Sequence, residues 1–184
     1  HDRKCDQNLA RLHKAGITGV RTVSGDACEL NEVLTSFDAM LGEPALFDTV
    51  FIDAPCSGTG TMRRHPEIPW RLTENDVTTE LPKLQLTMLK EAAARVAAGG
   101  ELIYATCSVF DEENTQVVDA FLASSEGAGF IVAPLSEAQI LQLPEYDHAK
   151  SLVTLRQNPR GLFQSVPVNA DSYDGHFCAR LVHK

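Results

Sequence analysis

Long apolar runs, paired cysteines and an excess of positive charge are all missing from this 184-residue sequence. No stretch approaches the roughly 20 apolar residues that a transmembrane helix needs, and no basic-then-apolar leader opens the chain, so we expect a cytoplasmic protein without a membrane anchor. The five cysteines are scattered without a C-x-x-C pair. This spacing argues against a disulfide framework and a structural zinc site, and we expect no metal.

The balance of charge is acidic, with 16 Lys and Arg against 25 Asp and Glu and a net charge of −9. A protein that binds nucleic acid through its whole surface is usually basic, because phosphate neutralisation supplies most of the non-specific affinity. Composition alone therefore favours an enzyme of small molecules. An RNA substrate would require a local basic patch or a separate binding domain. The hydrophobic fraction of 43% suits one domain with a proper core.

The first part of the chain predicts a helix over Asp2–Lys14, which stops at Ala15-Gly16 and is followed by a short strand at Val20–Val23. The chain starts with His1 and enters this helix at once. We therefore expect residues 1–184 to be the C-terminal portion of a larger catalytic domain.

The remaining elements alternate between strands and helices. We predict buried strands at Leu46–Ile52 and Glu101–Thr106, helices at Leu84–Ala98 and Asp111–Ser124 (with Asp111 as N-cap), and further strands at Phe130–Pro134 and Phe177–Val182. Residues 59–79 and 135–174 read as irregular. This alternation predicts an α/β fold with a mainly parallel sheet. Ligands of such sheets bind beyond the carboxyl ends of the strands, where Asp26, Asp53 and Cys107 are all expected.

Two cysteine motifs follow the two central strands. The first is D-A-P-C-S-G-T-G at residues 53–60, which holds Cys56, and the second is T-C-S at residues 106–108, which holds Cys107. In this order they resemble the paired signatures of the NOL1/NOP2/Sun family of RNA cytosine-5 methyltransferases. The connecting R-R-H-P-E-I-P-W at 63–70 is most similar to the bacterial small-subunit ribosomal RNA members. The resemblance runs from Asp2 to Arg180.

Methylation of cytosine at C5 explains why two cysteines and an acid would be needed. C5 becomes nucleophilic only after a thiolate adds at C6, and this addition needs an acid or hydrogen bond at N3. The C5 proton must then leave before the thiol departs. The resemblance implies that Cys107 is the nucleophile, Cys56 assists product release, and Asp53 is a carboxylate shared between cofactor and base. It also implies a contact from Asp26 to the adenosine of the cofactor.

The resemblance further implies a Rossmann-like S-adenosylmethionine-dependent methyltransferase sheet that lacks its first strand or two. The glycine-rich cofactor loop and the ribose-binding acid of the family would lie before His1, so we expect this chain alone to bind S-adenosylmethionine weakly or not at all.

Several plainer interpretations stay open at this point. DNA cytosine methyltransferases place their nucleophile in a Pro-Cys motif, so the two cysteines could exchange roles, although T-C-S favours Cys107. Asp53 and Asp26 could simply stabilise turns. Residues 58–60 (Gly-Thr-Gly) resemble a phosphate loop, but no Gly-Lys-Ser/Thr follows, which argues against nucleotide hydrolysis.

The sequence thus predicts methyl transfer from S-adenosylmethionine to C5 of a cytosine in RNA, ribosomal RNA in the first instance, through a covalent cysteine–C6 adduct. The basic side chains Arg63, Arg64, His65 and Arg71 are the expected phosphate contacts. Two alternatives remain: a non-catalytic fragment that keeps the fold without binding cofactor, and a transfer RNA cytosine-5 methyltransferase.

Overall fold

The computed structural model describes residues 2–136, 139, 157–167 and 173–184, with side chains from residue 5 onward. The chain divides into two compact units, His1–Ala45 and Leu46–Lys184. None of the helices within the described ranges is long and apolar enough to cross a membrane. That residues 1–184 are one portion of a catalytic domain stays a prediction.

The N-terminal unit is helical. Helix α1 (Asp2–Lys14) matches its prediction, and Gly16 after it adopts a φ of 76°, a left-handed conformation that suits glycine at the end of a helix. Two short helices follow, α2 (Leu30–Val33) and α3 (Thr35–Leu41). The strand predicted at Val20–Val23 was wrong, because an extended segment becomes a strand only beside a partner and no described segment pairs with it.

The C-terminal unit is built on a five-stranded sheet. Its strands are β1 (Phe47–Asp53), β2 (Val96–Thr106), β3 (Phe130–Val132), β4 (Phe163–Ser165) and β5 (His176–His183). The order is β1-β2-β5-β3, with β4 also paired to β5. Two helices accompany the sheet: α4 (Leu81–Ala93), which packs on β1 and β2, and α5 (Thr115–Leu122), which packs against α4.

The direction of the strands corrects the prediction of a mainly parallel sheet. Among the strand pairs of the described residues, only β1 and β2 pair in parallel, whereas β5 runs antiparallel to its neighbours β2, β3 and β4. A parallel neighbour needs a long crossover, usually a helix. Helix α4 provides that crossover between β1 and β2. The α/β prediction itself is confirmed, with a mixed sheet.

Three predicted elements differ from the structure in their bounds or burial. The helix predicted to reach Ala98 ends at Ala93, because the next residues extend β2 and Val96 pairs with Phe47. The helix predicted from Asp111 begins as a 3-10 turn, and Asp111 does not cap it. Within the described residues, strand β1 pairs on one side only and Ile52 is its one buried residue, which differs from the predicted burial.

Candidate active site

The carboxyl ends of β1 and β2 lie side by side and bring the two cysteine motifs together. Asp53, the last residue of β1, pairs with Ala105, and the N–H of Ala54 donates to the Ala105 carbonyl at 2.9 Å. Each strand then turns into its motif. The Sγ atoms of Cys56 and Cys107 are 3.3 Å apart, and the N–H of Cys107 lies 3.4 Å from the Cys56 sulfur. The two thiols predicted to share a crevice are therefore in direct contact.

The two thiols do not hold their protons equally. A hydrogen bond from Cys56 lowers the pKa of Cys107 to about 7, against opposing effects of burial and of the nearby acids Asp53 and Glu113. The same hydrogen bond, followed by burial, raises the pKa of Cys56 well above its ordinary value. The pair is thus arranged as a Cys107 thiolate that accepts from a Cys56 thiol. Thiolates, not thiols, are the nucleophiles of cysteine chemistry.

Asp53 lies beside this pair with an unengaged side chain. It is exposed at the end of β1, and its charge is close enough to raise the pKa of Cys107. Within the described ranges, no residue forms a hydrogen bond or ion pair with its carboxylate. The described contacts therefore do not show Asp53 stabilising the turn after β1. Its carboxylate is available to a ligand.

Asp26, in contrast to Asp53, uses its side chain in a hydrogen bond within its own turn. It precedes a short 3-10 turn (Ala27–Glu29) in the N-terminal unit, and its carboxylate accepts the N–H of Cys28 at 2.9 Å. This is the turn role that the sequence left open for it, and no strand precedes it. A contact from Asp26 to adenosine stays a prediction.

A close approach of backbone holds the Cys107 motif in place. The N–H of Gly60 donates to the Cys107 carbonyl at 2.8 Å, and the Gly60 carbonyl accepts from the N–H of Gly175 at 2.8 Å. A Cβ added at Gly60 would lie 2.2 Å from the Gly175 carbonyl oxygen. Glycine at position 60 therefore lets three loops meet at the cysteine pair.

We expect Gly60→Ala to destabilise the protein by about 1–3 kcal/mol and to displace the Cys107 loop, because backbone atoms on both sides must shift to admit the methyl group. Thermal unfolding and the rate of Cys107 alkylation would measure the two effects. Gly99→Ala separates crowding from backbone strain: Gly99 has a φ of 76°, which Gly60 does not share, and an added Cβ there meets nothing within 4 Å. That variant should cost about 1 kcal/mol for the left-handed conformation and leave the rate of Cys107 alkylation unchanged. Equal losses in both variants would contradict the steric explanation.

A buried carboxylate that the sequence did not single out links the two cysteine motifs. The Glu113 side chain accepts the N–H of Ser57 at 2.8 Å, the Gln85 amide at 3.0 Å and the Ser108 hydroxyl at 2.6 Å. The Gln85 amide also donates to the Pro55 carbonyl at 2.9 Å. Because Glu113 lies in a run of three acids, the sequence suggested only the first turn of a helix.

The predicted basic contacts are engaged with acids inside the chain. Arg64 forms an ion pair with Asp174 at 2.5 Å, and Arg63 approaches the same carboxylate at 3.6 Å. These pairs lower the pKa of Asp174, mainly through the hydrogen bond from Arg64. Both arginine side chains remain at least half exposed. An incoming phosphate would therefore compete with Asp174 for the two cations.

The remaining two side chains predicted to contact phosphate share a second acid. His65 and Arg71 each lie 3.4 Å from a Glu67 carboxylate oxygen. Between them in the chain is Trp70, the sole tryptophan of the sequence, which is 89% exposed. Trp70 is not among the residues predicted from the sequence to contact RNA, although a lone tryptophan within a basic stretch is a signal that could have identified it.

Comparison with known proteins agrees with the motifs. The family described as "16S rRNA methyltransferase RsmB/F" matches residues 2–182. Ribosomal RNA small subunit methyltransferase B of Salmonella arizonae is 38% identical over 138 residues, which are 75% of this chain and 27% of that relative. The protein of the same name from Pectobacterium atrosepticum is 35% identical over 140 residues, 76% of this chain and 27% of the relative. The alignments thus span about a quarter of the length of these relatives.

Among solved structures, NSun6 from Pyrococcus horikoshii with SFG superposes with a TM-score of 0.67 at 22% identity, over 98% of this chain and 38% of that one. A likeness at this identity concerns the fold. The predicted Rossmann-like methyltransferase sheet is thereby confirmed.

Proposed function

Since the chain belongs to the RsmB/F family of 16S rRNA methyltransferases, which depend on S-adenosylmethionine, we propose that this protein methylates C5 of a cytosine in ribosomal RNA through a covalent adduct on Cys107. One observation carries the proposal: two thiols 3.3 Å apart at the ends of two parallel strands, one of them poised as a thiolate. Methylation of an atom that is already nucleophilic would not require a pair of thiols. Methylation at C5 does require a nucleophile, because C5 must first be activated by addition at C6.

The residues of the site suit the order of the reaction. The Cys107 thiolate adds to C6 of the ring, which moves electrons toward N3. Asp53 in its protonated form gives N3 the proton or the hydrogen bond, because only the protonated carboxyl can donate. C5 then carries enough electron density to accept a methyl group. After transfer, the C5 proton passes to a water molecule that Cys56 orders, N3 returns its proton to Asp53, the C6–sulfur bond breaks and the Cys107 thiolate is restored. The complete cycle, with one proton released to solvent, returns the protein to its starting protonation state.

S-adenosylmethionine supplies the electrophilic methyl group on its sulfonium when bound. Of the described residues, Asp53 is the one that fits such a cofactor, because its carboxylate is unengaged and stands at the strand ends where ligands of α/β sheets bind. Carboxylates at such positions commonly accept hydrogen bonds from ribose hydroxyls or amino groups. Asp53 thus lies where it could contact both cofactor and base.

The difference in pKa supports the assignment of Cys107, rather than Cys56, as the nucleophile. At neutral pH about half of Cys107 is ionised if its pKa is about 7. Cys56 is the hydrogen-bond donor of the pair and keeps its proton. A thiol next to the adduct suits the later step indirectly, because it can order the water that takes the C5 proton.

Trp70 and the cations around it support an RNA substrate despite the net charge of −9. Proteins bind single-stranded RNA by stacking unpaired bases on aromatic side chains and by pairing phosphates with Arg and Lys. The stretch of residues 63–71 contains both kinds of group. The loop that carries this stretch begins at Gly60, whose N–H forms a hydrogen bond to the Cys107 carbonyl. RNA bound along residues 63–71 would therefore pass beside the cysteine pair.

We expect the double variant Arg64→Gln and Arg71→Gln to weaken RNA binding and to reduce the slope of log K against log salt by about 1 to 2, roughly one for each lost phosphate contact. Filter binding at several salt concentrations would measure this. Glutamine is preferable to charge reversal, because a carboxylate at position 64 would repel Asp174 and disturb the loop. Arg160→Gln, which removes an arginine paired with Asp119, is the control. An unchanged affinity and slope would show that RNA is held elsewhere.

The proposed reaction is tested directly by incubating the full-length protein with small-subunit ribosomal RNA and labelled S-adenosylmethionine, followed by mass spectrometry of the nucleosides. We expect 5-methylcytidine in ribosomal RNA. A methyl group at another atom of the ring, or transfer to transfer RNA alone, would contradict the proposal. Binding of S-adenosylmethionine without turnover on any RNA would favour a non-catalytic role.

A further inference from the structure

Glu113 is the most deeply buried acid of the described residues, with 0% of its surface exposed. A carboxylate loses its hydration when it is buried, and this loss is tolerated only where hydrogen-bond donors replace the water. Glu113 has three such donors, from Ser57, Gln85 and Ser108. All three are uncharged, and they come from three different segments of the chain. The hydrogen bonds that make burial of Glu113 tolerable therefore also hold these three segments together.

Two of the three donors are neighbours of the cysteines in the sequence. Ser57 follows Cys56, and its N–H bonds one oxygen of Glu113, while Ser108 follows Cys107, and its hydroxyl bonds the other oxygen. A second link runs between the serines themselves, since the Ser57 hydroxyl donates to the Ser108 oxygen at 3.1 Å. The carboxylate therefore forms a bridge between the residue after one thiol and the residue after the other.

The remaining contacts fix the bridge to the rest of the fold. The Gln85 amide on α4 donates both to Glu113 and to the Pro55 carbonyl, which precedes Cys56. The Tyr104 hydroxyl on β2 donates to the backbone carbonyl of Glu113 at 2.6 Å. The turn that carries Glu113 is thus anchored to a strand. The Glu113 carboxylate contacts the residue after Cys56 directly, and it contacts the residue before Cys56 through the Gln85 amide.

We propose that Glu113 is a positioning residue for methyl transfer: its carboxylate holds the Cys56 and Cys107 turns in the register that keeps the two sulfur atoms in contact. The inference rests on the function proposed above for the cysteine pair and extends it to a residue that contacts neither substrate nor cofactor. Without the bridge, the two turns are still joined by the serine hydroxyls, by the Gly60 N–H on the Cys107 carbonyl and by the Val109 N–H on the Thr59 hydroxyl. The Ser57 N–H, next to Cys56, then loses its acceptor, and the Cys56 thiol loses this anchor.

The positioning role and a purely electrostatic role predict opposite results for Glu113→Gln. The negative charge of Glu113 raises the pKa of Cys107, but the hydrogen bond from Cys56 lowers it more strongly. If Glu113 acted only as a charge, its neutralisation would lower the pKa of Cys107. If it positions Cys56, the variant loses the larger effect and the pKa of Cys107 rises.

The experiment measures the rate of Cys107 alkylation by iodoacetamide as a function of pH in the full-length protein, by mass spectrometry of the Cys107 peptide. In the wild type we expect a midpoint at a pH of about 7. In Glu113→Gln we expect the midpoint to rise by on the order of one pH unit. Methylation should slow while the Kd for RNA stays unchanged. An unchanged or lower midpoint in a folded variant would overturn the proposal.

Two further variants complete the test. Glu112→Gln neutralises the adjacent acid, which has no described bond to either cysteine motif, and should leave the midpoint unchanged; a rise equal to that of Glu113→Gln would overturn the proposal. Ser108→Ala keeps the carboxylate and its bonds on the Cys56 side, and removes its link to the Cys107 side together with the bonds that the Ser108 oxygen accepts from the Ser57 hydroxyl and the Phe110 N–H. It should raise the midpoint by less than Glu113→Gln does, and it decides the matter if Glu113→Gln does not fold, since an unchanged midpoint would then count against the bridge.

Alkylation needs neither RNA nor cofactor, so the two proposals fail separately. A wild-type protein without methyltransferase activity on ribosomal RNA would contradict the proposed function, while a raised midpoint in Glu113→Gln would still support the positioning role. Conversely, if the enzyme is active and Glu113→Gln leaves the midpoint of Cys107 alkylation unchanged, the proposed function stands and the positioning role of Glu113 is contradicted.

Discussion

Replacement of Cys107 by alanine is expected to abolish both methylation and any covalent protein–RNA adduct. The Cys107 thiolate forms the bond to C6 that makes C5 nucleophilic, and an alanine at position 107 has no group that can form this bond. Loss of a nucleophile typically costs on the order of 10⁴-fold or more in rate. We therefore expect activity at or below the limit of detection, with RNA binding retained.

Tritium transfer from labelled S-adenosylmethionine, together with a denaturing gel for the adduct, would measure both losses. Cys178→Ala is the matched control, because Cys178 is also a partly buried free thiol but lies on β5 opposite Ala105, outside both motifs. The control should remain active. A persistent adduct in Cys107→Ala would assign the nucleophile to Cys56 instead.

The proximity of the two cysteines could be predicted from the sequence because it depends on local signals. Apolar β-branched runs end at Asp53 and at Thr106, and strands joined through a helix are parallel, so their carboxyl ends share one edge. The structure has β1 and β2 in that arrangement. The motifs that follow the strands then have little freedom, and the thiols meet at 3.3 Å.

The errors arose where pairing overrides local pattern. Val96 continues the apolar stripe of α4 and Gly99-Gly100 resembles a helix stop, yet residues from Val96 onward pair with β1. Val20–Val23 has strand composition but no described partner. The direction of β5 likewise depends on which neighbours it finds in the sheet. No period or turn signal in the sequence carries that information.

The role of Glu113 in the site could not be predicted from the sequence either. In sequence it is one of three consecutive acids, and nothing distinguishes it from the exposed Asp111. Its importance comes from three donors that arrive from positions 57, 85 and 108. Ionisation of Cys107 is similarly a property of the assembled pair, since the chief cause of its lowered pKa is a thiol 51 residues away in sequence.

Replacement of Cys56 by alanine is expected to give the opposite phenotype from the loss of Cys107, namely a covalent protein–RNA complex that accumulates. Addition at C6 and methyl transfer require Cys107, whereas Cys56 is needed afterwards, when the C5 proton must leave before the C6–sulfur bond can break. A stalled elimination leaves the RNA attached through a bond that survives denaturation. The measurement is a denaturing gel of the full-length variant incubated with ribosomal RNA and S-adenosylmethionine.

The contact between the sulfur atoms adds a dependence on pH to this expectation. Cys56 supplies the hydrogen bond that lowers the pKa of Cys107 to about 7, so its removal raises that pKa and leaves less thiolate at neutral pH. The complex should therefore form slowly near pH 7 and faster as the pH approaches 9. Cys56→Ser, which keeps a hydroxyl donor, should trap RNA with a weaker dependence on pH. A complex trapped by Cys107→Ala and absent from Cys56→Ala at both pH values would mean that the two cysteines have the reverse roles.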